Sequence, residues 1–136
     1  MKIYNFLIIF LLITACSTKE EKIVDKYDDG SPKKIEVYQQ NIKIEEKEFY
    51  PNQQLKYKGT FKDGKRDGEW IYYYEDGKVW SEGGFLNDKR HGVTKVYFPN
   101  GQLRYRGAYD KGKKTGIWKF YNENGQEIHT IDYTSK

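Results

Sequence analysis

Residues 59–82 read GTFKDGKRDGEWIYYYEDGKVWSE, and residues 83–106 read GGFLNDKRHGVTKVYFPNGQLRYR. Laid one over the other, the two lines agree at three glycines, at several aromatic positions and at a Lys-Arg pair. The register extends in both directions at a period of 24 residues. One aromatic column is Phe49, Tyr73, Tyr97, Tyr121, and a turn column is Gln53, Gly77, Gly101, Gly125. Further columns are Gly59, Gly83, Gly107, then Phe61, Phe85, Tyr109, Tyr133, then Gly68, Gly92, Gly116. A fixed period of this length marks a stack of like units, each of which contacts only its neighbours.

Each unit carries the grammar of a β-hairpin. Asp76-Gly77, Asn100-Gly101 and Asn124-Gly125 are dipeptides that tolerate the positive φ angles of type I′ turns. Around them polar and apolar residues alternate, as in Leu103, Tyr105, Gly107 and Tyr109 against Gln102, Arg104, Arg106 and Ala108. Alternation of period two gives each strand one apolar and one polar face. The second link in each unit, Asp63 to Gly68 and its equivalents, reads as a polar loop closing on glycine. No segment has a 3.6-residue apolar period, so no long helix is expected. The fold class that follows is all-β, an elongated antiparallel β-meander of 24-residue hairpin repeats.

Composition supports this reading. Thirteen Tyr, seven Phe and three Trp stand among 32% charged residues, a mixture suited to sheet, where rings pack on a pleated surface and charges face water. A net charge of +4 is too mild to make nucleic acid the main partner. The single cysteine, Cys16, allows no disulfide framework and no thiolate metal cluster. His91 and His129 lie in different repeats, and no carboxylate motif joins them into a metal site. No Gly-rich phosphate loop, nucleophile–base set or carboxylate pair stands out, so neither a cofactor nor an enzyme activity is expected.

The N-terminus carries a different signal. Residues 1–15 contain one early Lys2 and an apolar run, Phe6 to Ile13, too short to span a bilayer but suited to a secretory signal. The stretch Ile13-Thr14-Ala15-Cys16 resembles a bacterial lipobox. The resemblance implies cleavage between Ala15 and Cys16 and lipidation of Cys16, which would anchor the chain to a membrane. Ser17 resembles outer-membrane sorting, and Lys19-Glu20-Glu21 resembles a surface-export signal of Bacteroidetes lipoproteins. The implied location is the bacterial envelope, on the outer membrane; Lys19-Glu20-Glu21 reads either as that export signal or as a solvated linker, which leaves the periplasmic and surface leaflets both open. Residues 16–26 read as a lipid-anchored polar tether and residues 27–48 as a degenerate capping repeat. Residues 49–136 are the repeat array.

Gly59-Thr60-Phe61 followed by Gly64-Lys65-Arg66-Asp67-Gly68-Glu69-Trp70 resembles a MORN repeat, and residues 83–92 and 107–118 repeat the pattern. The added hairpin Phe98-Pro99-Asn100-Gly101-Gln102-Leu103 is similar to the bacterial MORN variant of YwqK-like proteins. That resemblance implies a non-catalytic protein-binding module of the antitoxin or immunity type, with a toxin as partner. A structural envelope spacer and a headgroup- or glycan-binding repeat are the competing classes. The sequence departs from the pattern at Gln53, where glycine is expected, and at Thr94, where Trp70 and Trp118 set an aromatic precedent.

Several residues bear on binding. The column Phe61, Phe85, Tyr109, Tyr133 is expected to stack in the core, with Leu55, Val79 and Leu103 beside it. Tyr73, Tyr97 and Tyr121 alternate out of phase with Tyr72, Val96 and Phe120. They are expected on the opposite face, either covering the sheet or forming a contact surface, for which Tyr is well suited. Trp80 replaces Lys56 and Arg104 in its column, on the polar face, as a binding anchor or as a cation–π partner of Arg104. Lys65-Arg66, Lys89-Arg90 and Lys113-Lys114 form a basic loop edge, read either as solvated turns or as a site for phosphate headgroups or an acidic partner. Gly77, Gly101 and Gly125 are structural turn residues. Open sheet edges leave self-association possible and the oligomeric state open.

Overall fold

The computed structural model describes residues 18–134. The expected signal segment and the lipobox, Ala15 and Cys16 included, lie outside the described residues. Ten antiparallel strands form one open sheet in sequence order. They are β1 (Lys19–Lys26), β2 (Pro32–Gln39), β3 (Ile42–Phe49), β4 (Leu55–Lys62) and β5 (Lys65–Tyr73). The other half is β6 (Val79–Leu86), β7 (Lys89–Tyr97), β8 (Leu103–Asp110), β9 (Lys113–Tyr121) and β10 (Glu127–Asp132). Each strand pairs only with its sequence neighbours, so the meander expected from the period is the architecture observed. The stretch read as a tether is, from Lys19 onward, the edge strand β1, paired with β2 from Lys19↔Gln39 to Lys26↔Pro32. All of its residues are exposed. Its backbone hydrogen bonds with β2, rather than burial, hold it in the sheet, which is why no hydrophobic period announces it.

The two kinds of hairpin link are exchanged relative to the sequence reading. At the Asp-Gly and Asn-Gly links only the glycine has positive φ, +84° at Gly77, +86° at Gly101 and +78° at Gly125. There Gly101 N donates to Phe98 O and Phe98 N donates to Gln102 O, at 2.8 Å each. That is the pattern of a three-residue loop ending in a left-handed residue. Two consecutive positive φ angles, the mark of the type I′ turn, occur instead at Gln40-Asn41, Asp63-Gly64, Asn87-Asp88 and Lys111-Gly112. The expected polar loop from Asp63 to Gly68 is therefore a two-residue turn, and β5 already begins at Lys65.

One face of the sheet carries the tryptophans. Trp70 on β5 lies across Gly59 and Trp118 on β9 lies across Gly107; a Cβ at either glycine would stand 2.1 or 2.2 Å from the indole. Trp118 is only 2% exposed, and its indole N–H donates to Ala108 O at 3.2 Å, as that of Trp70 does to Thr60 O. Tyr57 and Tyr105 stack on these indoles, and Phe61, Phe85 and Tyr109 meet them edge-on. Trp70 and Trp118, with Val37 and Val96, are thus the buried core, with the Phe61 column half-buried around the two indoles. In the middle unit both stacking partners are small, Ser81 in the Tyr57 column and Thr94 in the Trp70 column.

Toward the N-terminus, charges replace the rings. Buried Glu46 faces Gly59 and accepts hydrogen bonds from Lys43 and Tyr57. Burial opposes its ionisation, but these donors hold its pKa below the ordinary carboxylate value. Hydrogen bonds also run from one repeat to the next. The hydroxyls of Tyr27, Tyr50 and Tyr74 donate to Phe49 O, Tyr73 O and Tyr97 O at 2.6–2.8 Å. Phe98, next in that column, has no hydroxyl and ends the ladder.

Candidate binding surface

The expected binding residues do not form one surface. A register shift between Tyr72 and Tyr73 leaves Trp80 as the extra residue of a bulge on β6. The bulge turns its ring toward the tryptophan face, where it meets Tyr72 at 6.0 Å and Tyr74 at 6.4 Å. Trp80 is therefore not on the polar face. Arg104 is not its partner either, because that guanidinium lies over Phe98, 5.6 Å from the ring centroid. Trp80 remains 44% exposed.

Tyr73, Tyr97 and Tyr121 do lie on the opposite face, half-buried at the ends of β5, β7 and β9. Val79 and Leu103 pair directly with Tyr73 and Tyr97, and Leu55 pairs with Phe49, so these aliphatics belong to this face and not beside Phe61. The Tyr97 hydroxyl and the Lys95 ammonium both donate to one oxygen of Glu82, at 2.8 Å each. The bond from Lys95, aided by that from Tyr97, lowers the Glu82 pKa against a smaller effect of burial. Burial and the same bond raise that of Tyr97. This triad fixes one tyrosine of the column in place.

The basic loop edge divides by residue. Arg66 lies 4.3 Å from the Phe85 ring, Arg90 5.5 Å from Tyr109, and Lys114 4.6 Å from Trp118, so these cations cover rings. Lys65, Lys89 and Lys113 follow the two-residue turns directly and are exposed, as are Arg90 and Lys114, whereas Arg66 is half-buried.

Beside the tyrosine column, two features emerge that reading along the chain missed. Lys95, Arg106 and Lys119 are direct cross-strand neighbours on β7, β8 and β9. Next to them Val93 and Ile117, 62% and 56% exposed, flank Ala108. The repeat register already held part of this, since Glu69, Val93 and Ile117 form one column and Thr60, Gly84 and Ala108 another. The cation row could not be read off, because its members are joined through bulged strands. Among the described residues no group of three or more His, Cys, Asp or Glu is placed to hold a metal ion.

Four segments, residues 44–63, 66–87, 90–111 and 114–126, match the MORN repeat variant, which is more than half of the chain. The chain belongs to the MORN repeat variant family. Its matched segments begin within β3, so β1 and β2 extend the MORN sheet on its N-terminal side. No curated protein matches the chain. Among solved structures it is similar to S. aureus TarM, in a point mutant bound to Fondaparinux, alpha-GlcNAc-glycerol and UDP. The two are 17% identical with a TM-score of 0.45, over 74% of this chain and 20% of that one. A second TarM structure aligns at 19% identity and a TM-score of 0.43, over 73% of this chain and 19% of the other. The MORN chain thus aligns with about a fifth of the length of these structures.

Proposed function

We propose that this MORN repeat protein is a non-catalytic protein-binding module and that it engages its partner through the face bearing Tyr73, Tyr97 and Tyr121. The observation that carries this reading is the contrast between the two faces. The tryptophan face is occupied by its own rings and by the cations that cover them. The other face leaves tyrosines, aliphatics and a cation row in contact with solvent, with no second layer over them among the described residues. Half-buried tyrosines offer contact area at low entropic cost, and one of them is already held by Glu82. The sequence of residues 1–16 adds the rest of the proposal: an envelope lipoprotein, anchored through Cys16 to the outer membrane and displayed at the cell surface. An immunity role, in which a toxin is held by stoichiometric binding, is the version that the YwqK-like resemblance suggests.

The test is affinity capture from the source cells with the full-length protein in detergent, beside a Tyr97→Ala/Tyr121→Ala variant. The expected result is one stoichiometric protein retained by the wild type and lost by the variant, with unchanged circular dichroism. Equal capture by both, or capture of nothing, overturns the reading. Toxicity of the captured protein when expressed alone would identify the immunity role.

A further inference from the structure

Within that face, the geometry points to a specific anchor site for an extended peptide segment of a protein partner that carries an apolar side chain between a basic and an acidic residue. The site would seat the apolar side chain over Ala108, and the inference rests on the protein-binding reading given above. Its apolar part is a depression of about 300 Å³ with Ala108 as floor and Val93 and Ile117 as walls. Both walls are more than half exposed, an arrangement that costs free energy unless something covers it. The rim is cationic. Lys95 and Lys119 are each bound to a carboxylate, Glu82 and Glu127, at 2.8 Å. Arg106 stands between these two lysines, exposed; among the described residues it makes no direct ion pair, and it acts on Glu127 only through its field. Like charges directly opposite one another on a sheet repel, and an incoming carboxylate at Arg106 would relieve that repulsion.

A second depression, of about 350 Å³, adjoins the first and shares Val93. It runs over Gly84 toward Glu69, an exposed carboxylate that forms no ion pair among the described residues. Among the described residues the groove therefore has an anion without a direct ion pair at one end, Glu69, and a cation without one at the other, Arg106. This polarity favours a peptide with charges of both signs over a uniformly anionic membrane, which Glu69 would repel. From Glu69 on β5 to Ala108 on β8 is three strand spacings, about 14 Å, or roughly four residues of extended chain. Alternate residues of an extended peptide share a face. The matching pattern is a lysine, a leucine four residues later and a glutamate two residues beyond it, near Arg106 and Lys119.

The experiment titrates the full-length protein in detergent with a fluorescein-labelled peptide, Lys-Ser-Thr-Ser-Leu-Ser-Glu, by fluorescence anisotropy. Saturable binding is expected, weakened roughly tenfold or more when Leu becomes Ser or Glu becomes Lys in the peptide. A similar loss is expected for Arg106→Glu, an exposed position whose substitution leaves the fold intact. Glu69→Lys should weaken the parent peptide and restore a peptide whose lysine is replaced by glutamate. Lack of saturable binding overturns the anchor site, as does equal affinity for all peptides or insensitivity to Arg106→Glu. Preferential binding of phosphatidylglycerol vesicles, abolished by Arg106→Glu, would also overturn it in favour of a lipid surface. If the captured partner binds Arg106→Glu as well as wild type, only the anchor site fails; if no partner is captured at all, the module reading fails.

Discussion

The glycine column Gly59, Gly83, Gly107 offers one substitution made three times in one register, with different outcomes. None of the three has positive φ, so an alanine meets no backbone strain and its effect is steric. At Gly59 and Gly107 the added methyl would fall 2.1 or 2.2 Å from an indole, far inside contact distance, and the ring must lift. Lifting Trp70 or Trp118 gives up much of the burial of the two largest core side chains. Complete truncation of such a ring costs about 3–5 kcal/mol and overpacking costs about 1–3 kcal/mol, so about 2–4 kcal/mol is expected. At Gly83 the nearest atom is Thr94 Oγ1 at 3.1 Å, an adjustment of a few tenths of an ångström. The small loss there is offset by the roughly 0.5–1 kcal/mol that glycine costs in a strand, so Gly83→Ala should change stability by less than about 1 kcal/mol. Urea unfolding followed by far-UV circular dichroism would measure this. With slopes of about 1–3 kcal/mol per molar, the midpoint should fall by roughly 1–2 M at Gly59→Ala and Gly107→Ala. Equal shifts for all three variants, or the largest shift at Gly83→Ala, would refute the claim that indole contact sets this column.

Gln53 occupies the glycine turn column with φ +64°, a conformation that costs a non-glycine residue about 1–2 kcal/mol. Gln53→Gly should raise stability by about 1 kcal/mol, less whatever its bond to Ser31 contributes; a lower urea midpoint would contradict this. Phe98→Tyr should extend the inter-repeat hydroxyl ladder to Tyr121 O and add about 0.5–1.5 kcal/mol, read as a higher midpoint and slower exchange of amides in β7 and β9. Glu36, Glu46 and Glu82 all have folded pKa values below their ordinary range, held there by Lys43 and Tyr38, by Lys43 and Tyr57, and by Lys95 and Tyr97. Below the unfolded value of 4.5 the unfolded chain takes up protons first. Their contribution is therefore complete above that pH and is lost as pH falls through the lower folded values. The urea midpoint should be level from neutral pH down to about 5 and then fall, and the fall should be smaller in Glu82→Gln. A midpoint unchanged well below the unfolded value would count against these bonds.

The sequence alone determined that the chain is a 24-residue repeat of antiparallel strands, because glycine and aromatic columns record local geometry that each unit must meet for itself. It also placed Tyr73, Tyr97 and Tyr121 on the face opposite Tyr72 and Phe120, since alternation along a regular strand is a local property. Trp80 escaped this logic because a bulge adds one residue and reverses the alternation, and a bulge is defined by two strands together. The assignment of the type I′ turn failed for a related reason: Asn-Gly suits either kind of loop, and the pairing on both sides selects between them. β1 was illegible because an exposed edge strand has no buried face to leave a period in its sequence. The adjacency of Lys95, Arg106 and Lys119 belongs wholly to the tertiary structure. These residues are 11 and 13 positions apart in the chain, and only the hydrogen-bonded register of β7, β8 and β9 brings them side by side.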